Sequence, residues 1–244
     1  MAVGTSREAL RPKGELMPVT SHTIARLTLG RGAMAVNSYP IKTGVGFVLV
    51  DTGMRKHRAA LLEAIRAQGC GPGLLRLVVI THGDFDHIGN AAHLRAVFGA
   101  PVAMHGGDVV MAARGDMFAG RKPGNRLVRM VASVLFRLPG EDRFEPDMLL
   151  DETADLSEYG LAGTRVLLLR GHSTGSIALL LDDGSLVSGD VLENRREPRL
   201  GSIMDDLPTA EASLRRLETL SVGTVYPGHG VPFEFGELER HPPR

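Results

Sequence analysis

An apolar run, Leu74 to Ile80, passes directly into Thr81-His82-Gly83-Asp84-Phe85-Asp86-His87. No other stretch constrains the chain as strongly. Its β-branched content marks the run as a strand, and a strand fixes where the residues after it project. Four side chains able to ligate a metal then follow in the layer of strand-end loops, where ligands are bound. His82 and Asp84 are two apart and share one side of an extended segment. Asp86 and His87 are adjacent, point differently, and can serve a second ion.

Two more of the nine histidines, His172 and His229, also stand just after apolar strand-like runs and beside glycine or turn residues. Asp190 ends Leu186-Val187-Ser188-Gly189 and is suited to bridging two ions. Three imidazole or carboxylate ligands per ion plus a bridge leave a position for water, as a catalytic metal site requires. His93 and His105 lie outside this pattern and read as packing residues.

The pattern along the chain is a layered α/β arrangement. Val45 to Val50 is a continuous apolar run closed by Asp51-Thr52-Gly53 and reads as a strand buried on both faces. Ala59, Leu61, Leu62, Ile65 and Ala67 recur at helical spacing up to Gly69. A single helix is expected from Ile88 to Phe98, an amphipathic one over Thr209 to Leu220, and a last strand over Val222 to Tyr226. Residues 1–22 read as an N-terminal tail and 23–244 as one domain with an insert at about 106–145. Between Ala112 and Leu138 the insert carries six basic residues against the single acid Asp116, interleaved with apolar ones. It reads as a surface helix or as a lid over the cleft that attracts an anionic substrate; membrane-surface association is a weaker reading.

Composition removes several classes. Lys+Arg and Asp+Glu number 28 each, so nothing global favours nucleic acid. No apolar run approaches the ~20 residues of a membrane span, and Met1 to Ser21 lacks the apolar centre of a secretory signal, so a cytoplasmic location is expected. The single cysteine, Cys70, excludes an internal disulfide and any multi-cysteine zinc site, and its loop is far in sequence from the histidine motifs. Thr43-Gly44-Val45-Gly46 lacks a phosphate-binding fingerprint.

Over residues 35 to 232 the chain resembles the metallo-β-lactamase-fold hydrolases. Their signature is His-x-His-x-Asp-His, then a histidine after a later strand, an aspartate, and a C-terminal histidine. Here the order is His82-Gly83-Asp84-Phe85-Asp86-His87, Gly171-His172-Ser173, Gly189-Asp190 and Pro227-Gly228-His229. Asp84 departs from the pattern, which has histidine there, although a carboxylate also coordinates such ions. The resemblance implies an αββα four-layer sandwich with the metals at one end. It implies His82, Asp84 and His172 at one ion, Asp86, His87 and His229 at the other, and Asp190 shared. Asp51 would support the site without binding metal, and Val36-Asn37-Ser38-Tyr39 would be a structural strand.

By that resemblance the cofactors are two divalent ions, zinc first, with iron or manganese as alternatives. The expected reaction is hydrolysis of a small-molecule thioester, lactone or related ester by a hydroxide activated between the ions. Asp86 would guide that nucleophile and relay a proton. The arrangement is most like the glyoxalase II-like and lactonase-like branches, although the helical substrate domain of glyoxalase II has no counterpart after His229. A phosphodiesterase-type hydrolase and an iron-dependent redox enzyme are the alternatives. No nucleic-acid partner and no stable membrane insertion are expected, and a homodimer is left open.

Overall fold

Along Gly46–Val50, Phe47 and Leu49 alternate with Val48 and Val50, and all four are buried. A strand apolar on both faces must lie between two other layers. The computed structural model, which describes residues 22–121 and 126–238, shows those layers; the tail expected over 1–22 lies, apart from His22, outside the described residues.

The first sheet holds β1 (Thr23–Ile24), β2 (Leu27–Leu29), β3 (Val36–Thr43), β4 (Gly46–Val50), β5 (Leu75–Ile80), β6 (Val102–Met104) and β7 (Met148–Leu149). Their order is β1-β3-β4-β5-β6-β7, with β2 paired to β3, and β4 through β7 run parallel. The second sheet holds β8 (Arg165–Leu168), β9 (Ile177–Leu180), β10 (Leu186–Asn194), β11 (Arg199–Leu200), β12 (Thr224–Gly230) and β13 (Phe233–Glu234). Its order is β13-β12-β10-β9-β8, with β11 on β10 and with β10 and β12 parallel. The helices are α1 (Arg58–Ala67), α2 (Phe85–Ile88), α3 (Ala91–Phe98), α4 (Val109–Arg114), α5 (Arg126–Leu135) and α6 (Leu207–Leu217).

Three apolar clusters separate four layers. Val48 and Val50, with Leu77 and Val79 of β5, meet Val166, Ile177, Leu179 and Val187 between the sheets. On the opposite face Phe47, Leu49, Val78 and Ile80 pack under Leu61 and Ile65 of α1 and Leu94 and Phe98 of α3. Outside the second sheet, Leu180, Leu186 and Val225 pack under Leu217 of α6. Each such side chain taken from water contributes roughly 1.5–3 kcal/mol before entropy is counted. The fold is the αββα sandwich expected from the sequence.

Three element boundaries differ from the sequence reading. The helix expected over Ile88–Phe98 is two pieces, α2 and α3. At the break a Cβ on Gly89 would meet the Arg55 backbone nitrogen at 2.5 Å, and the Asn90 amide donates to the carbonyls of Thr52 and Met54. His87 lies on α2, just before that break. α6 starts at Leu207, because the Asp206 carboxylate accepts the Thr209 N–H and caps the helix ahead of Pro208. β12 continues through His229 to Gly230 because its parallel pairing with β10 carries on past Pro227.

Candidate metal centre

The site lies beyond the C-terminal ends of β4 and β5, where β10 and β12 and the loop after β8 converge on them. Each of the four expected histidines has its Nδ1 occupied by an acceptor. Nδ1 of His172 lies 2.7 Å from the Ile203 carbonyl, and Nδ1 of His229 lies 2.6 Å from the Ala35 carbonyl. A carbonyl can only accept, so both Nδ1 atoms carry hydrogen. His87 Nδ1 meets Asp51 Oδ2 at 2.8 Å, and His82 Nδ1 meets Thr81 Oγ1 at 2.9 Å. All four Nε2 atoms are thereby turned inward, which is how proteins orient metal-binding imidazoles.

Two sets of donor atoms gather there, each within 4.8 Å: His82, His172 and Asp190, and Asp86, His87 and His229. Asp190 stands between them, with Oδ1 3.2 Å from His87 Nε2 and Oδ2 3.1 Å from His229 Nε2 and 3.9 Å from His82 Nε2. A Cβ on Gly228 would fall 2.0 Å from Asp190 Oδ1, so only glycine lets this loop close over the carboxylate. His82 Nε2, His87 Nε2 and Asp190 Oδ1 are buried and none makes an aligned hydrogen bond, the 3.2 Å approach of the last two included. Buried polar atoms left open cost free energy unless something binds them, and this donor set fits divalent cations.

Asp84 stands at the edge of the first set. Its Oδ2 is 3.1 Å from His172 Nε2 and 3.8 Å from His82 Nε2, while Oδ1 is 2.8 Å from Nη2 of Arg121. Arg121, whose Nε also meets Asp205 Oδ2 at 3.0 Å, was not singled out as a site residue in the sequence. Nor was Asp108. Its fully buried carboxylate accepts from the Gly83 and Gly175 N–H groups and from the Ser173 hydroxyl, tying the His82 loop to the His172 loop. Neither residue sits in a motif; contacts across 37 and 65 positions leave no local pattern.

Asp51, Asn37 and Tyr39 stand beside the donor sets. Asp51 accepts from the Thr81 N–H and hydroxyl as well as from His87. Asn37 and Tyr39 donate to the Pro227 carbonyl, which pins the loop that presents His229. His105 accepts the Gly107 N–H through Nδ1 and belongs to neither donor set, and the same holds of His93's place outside both sets.

Without metal the site holds charge unevenly. Burial works against a charged His172, but the Asp84 carboxylate, by charge and hydrogen bond, outweighs it and pushes the pKa up to about 9. Burial keeps His82 neutral, and the neighbouring His87 and His172 reinforce this. Burial also raises Asp86, with the charges of Asp190 and Asp84 adding to it. Burial opposes ionisation of Asp190 too, yet the facing imidazoles of His87 and His229 hold it far below the usual carboxylate range.

Over these donors lies a cavity of about 680 Å³. The insert supplies Met117, Phe118, Arg121 and Phe136 to its wall, and Phe136 stacks on Phe85 with centroids 4.4 Å apart. The insert therefore covers the site and gives it an apolar side. Within the cavity Arg121 faces Asp84 and Asp205, and Arg195 faces Glu193, so each cationic head meets carboxylate.

An αββα sandwich with imidazole and carboxylate donors gathered at its strand ends defines the class. The chain belongs to the metallo-beta-lactamase superfamily, whose family model matches residues 31–229. It is 27% identical over 207 residues to Probable metallo-hydrolase YflN of Bacillus subtilis, covering 76% of each chain. It is 30% identical to Metallo-beta-lactamase domain-containing protein 1 of Rattus norvegicus, across 77% of this chain and 63% of that one. Among solved structures, TTHA1623 in a di-iron-bound form superposes with a TM-score of 0.66 at 28% identity, covering 87% of this chain and 95% of the other. Among the described residues no helix is long and apolar enough to cross a membrane.

Proposed function

We propose that the protein is a metal-dependent hydrolase that cleaves a thioester, lactone or related ester of a small, largely apolar acyl compound. The observation that carries this reading is the set of four imidazoles whose Nδ1 atoms are held and whose Nε2 atoms converge around Asp190. His82, His172 and Asp190, with Asp84 beside them, would hold one divalent ion, and Asp86, His87, His229 and Asp190 the other. Bound ions supply a water activated near neutral pH and polarise the substrate's carbonyl oxygen.

The chain's own residues do the rest. Asp86, which belongs to the second donor set and lines the cavity, would accept a proton from the attacking water and return it to the leaving group. Phe85, Phe118 and Phe136 hold the acyl portion and exclude bulk water. Because the cavity's arginines face carboxylates, a neutral acyl group suits it better than the anionic substrate that the basic insert suggested. Zinc is the first choice of metal, and the di-iron-bound relative supports iron as the alternative.

A panel of neutral thioesters, lactones, aryl esters and phosphodiesters, assayed with chelated and remetallated protein, tests the reading. Chelator-sensitive turnover of the carboxylic esters or thioesters is expected. Turnover confined to phosphodiesters, or oxygen consumption with no hydrolysis, would overturn it.

A further inference from the structure

Asp84 takes the place of an imidazole in the motif, and its two oxygens have different partners. Oδ2 faces His172 Nε2 and His82 Nε2 at 3.1 and 3.8 Å, and Oδ1 faces Arg121 Nη2 at 2.8 Å. The side chains of Asp84 and Arg121 are each only 6% exposed. Water screens such a pair weakly, so its Coulomb energy and its geometry both count. Asp205 meets the far edge of the guanidinium at 3.0 Å and is more exposed, so it anchors Arg121 while its own charge is the better screened.

We infer that Arg121 is a positioning residue for the first ion, and that Asp84 and Arg121 together do the work of one neutral imidazole. This rests on the two-ion reading above. A histidine brings no charge to the site, whereas an aspartate brings −1. An aspartate paired with a buried guanidinium is again close to neutral. The ion pair also orients the carboxylate: with Oδ1 drawn to Arg121, Oδ2 is the oxygen turned to the donor set. Arg121 comes from the insert, so the same contact ties the cover of the cavity to the metal position. Each partner is then harmful alone. Histidine at 84 would leave Arg121 beside a cation with one of its carboxylates gone. Loss of Arg121 would leave Asp84 uncompensated and free to turn away.

A double-mutant cycle on metal binding tests this. Stoichiometry is read by plasma mass spectrometry. Zinc and manganese affinities are read by competition with a chromophoric chelator for wild type, Asp84→His, Arg121→Met and the double variant. The wild type should bind two ions. Each single variant should bind one of them about 10–100-fold more weakly, the usual loss when a ligand's support is removed. The double variant should return to within about threefold of wild type, since coupled sites are not additive. Arg121→Lys, which keeps the charge, should bind more tightly than Arg121→Met. Additive losses in the cycle, or equal affinities for the Lys and Met variants, overturn the inference while leaving the two-ion reading intact. A gain from one ion to two in Arg121→Met overturns it as well, since the guanidinium would then occupy the ion's place. A wild type that binds fewer than two ions even at saturating metal overturns both.

Discussion

Asp51 Oδ2 lies 2.8 Å from His87 Nδ1, while its Oδ1 accepts the Thr81 N–H at 2.9 Å. One buried carboxylate thus orients His87 on α2 and fixes the end of β5, where the His82 loop begins. Asp51 is the one described non-glycine residue with positive φ, at 59°, a conformation that aspartate and asparagine tolerate better than most. Asp51→Asn keeps shape and backbone preference but removes the charge that steadies the imidazole. It should lower affinity for the ion at His87 by about 10–100-fold, and because an amide NH2 cannot accept from Thr81 and His87 it should also lower the melting temperature of the metal-free protein. Chelator competition together with melting curves checks this; unchanged affinity would show that Asp51 serves the fold alone.

Phe136 reaches from the insert to stack on Phe85 at the cavity wall. An aromatic pair of this kind contributes about 1 kcal/mol, or roughly fivefold in an equilibrium. Phe136→Ala should raise KM for the longer of the small acyl esters by about that factor and leave kcat and metal content near wild type. An equal effect on short and long acyl chains would remove the insert from substrate binding.

Glu193 is 3% exposed and accepts from Ser202, Arg199 and Arg195. Burial opposes its ionisation, but the Ser202 and Arg199 hydrogen bonds and the two guanidinium charges win and hold its pKa below the ordinary value. A carboxylate with a depressed folded pKa stabilises above its unfolded pKa and loses that contribution as pH falls through the folded one. Glu193→Gln should therefore lower Tm at pH 7, and the gap from wild type should close as pH drops below about 4, near the ordinary carboxylate value. Melting curves against pH check the sign. A gap that widens in acid would contradict it.

Burial pushes the Cys70 thiol up to about 11. At pH 8 the reactive thiolate is then on the order of one part in a thousand. Iodoacetamide should leave the native protein unlabelled at that pH and modify it fully once unfolded, as intact-mass spectra would show. Fast labelling of the folded chain would mean that the loop after α1 opens readily.

Much of this was legible in the sequence because it is local. The run from Leu74 to His87 contains a strand, its end and four donors, and Phe47 to Val50 displays two buried faces within four residues. Asp51 closes an apolar strand, and its supporting role was implied by the family resemblance rather than by the strand itself. Arg121 was not legible, since its partners Asp84 and Asp205 are distant and its own segment reads only as basic. The Nδ1 anchors at Ile203 and Ala35 are backbone carbonyls, which no residue type announces. The break between α2 and α3 is not legible because helical periodicity continues across Gly89 and Asn90, while the Asn90 side chain that marks it bonds to the distant Thr52 and Met54 carbonyls.

We propose that hydrolysis depends on two ions held by His82, Asp84, Asp86, His87, His172, Asp190 and His229. Titrating a divalent metal into the chelated protein while following turnover of a neutral ester tests it most directly. Activity should be absent in the stripped protein and should rise to a plateau at two equivalents. Full turnover without metal, or a plateau at one equivalent, would contradict the account.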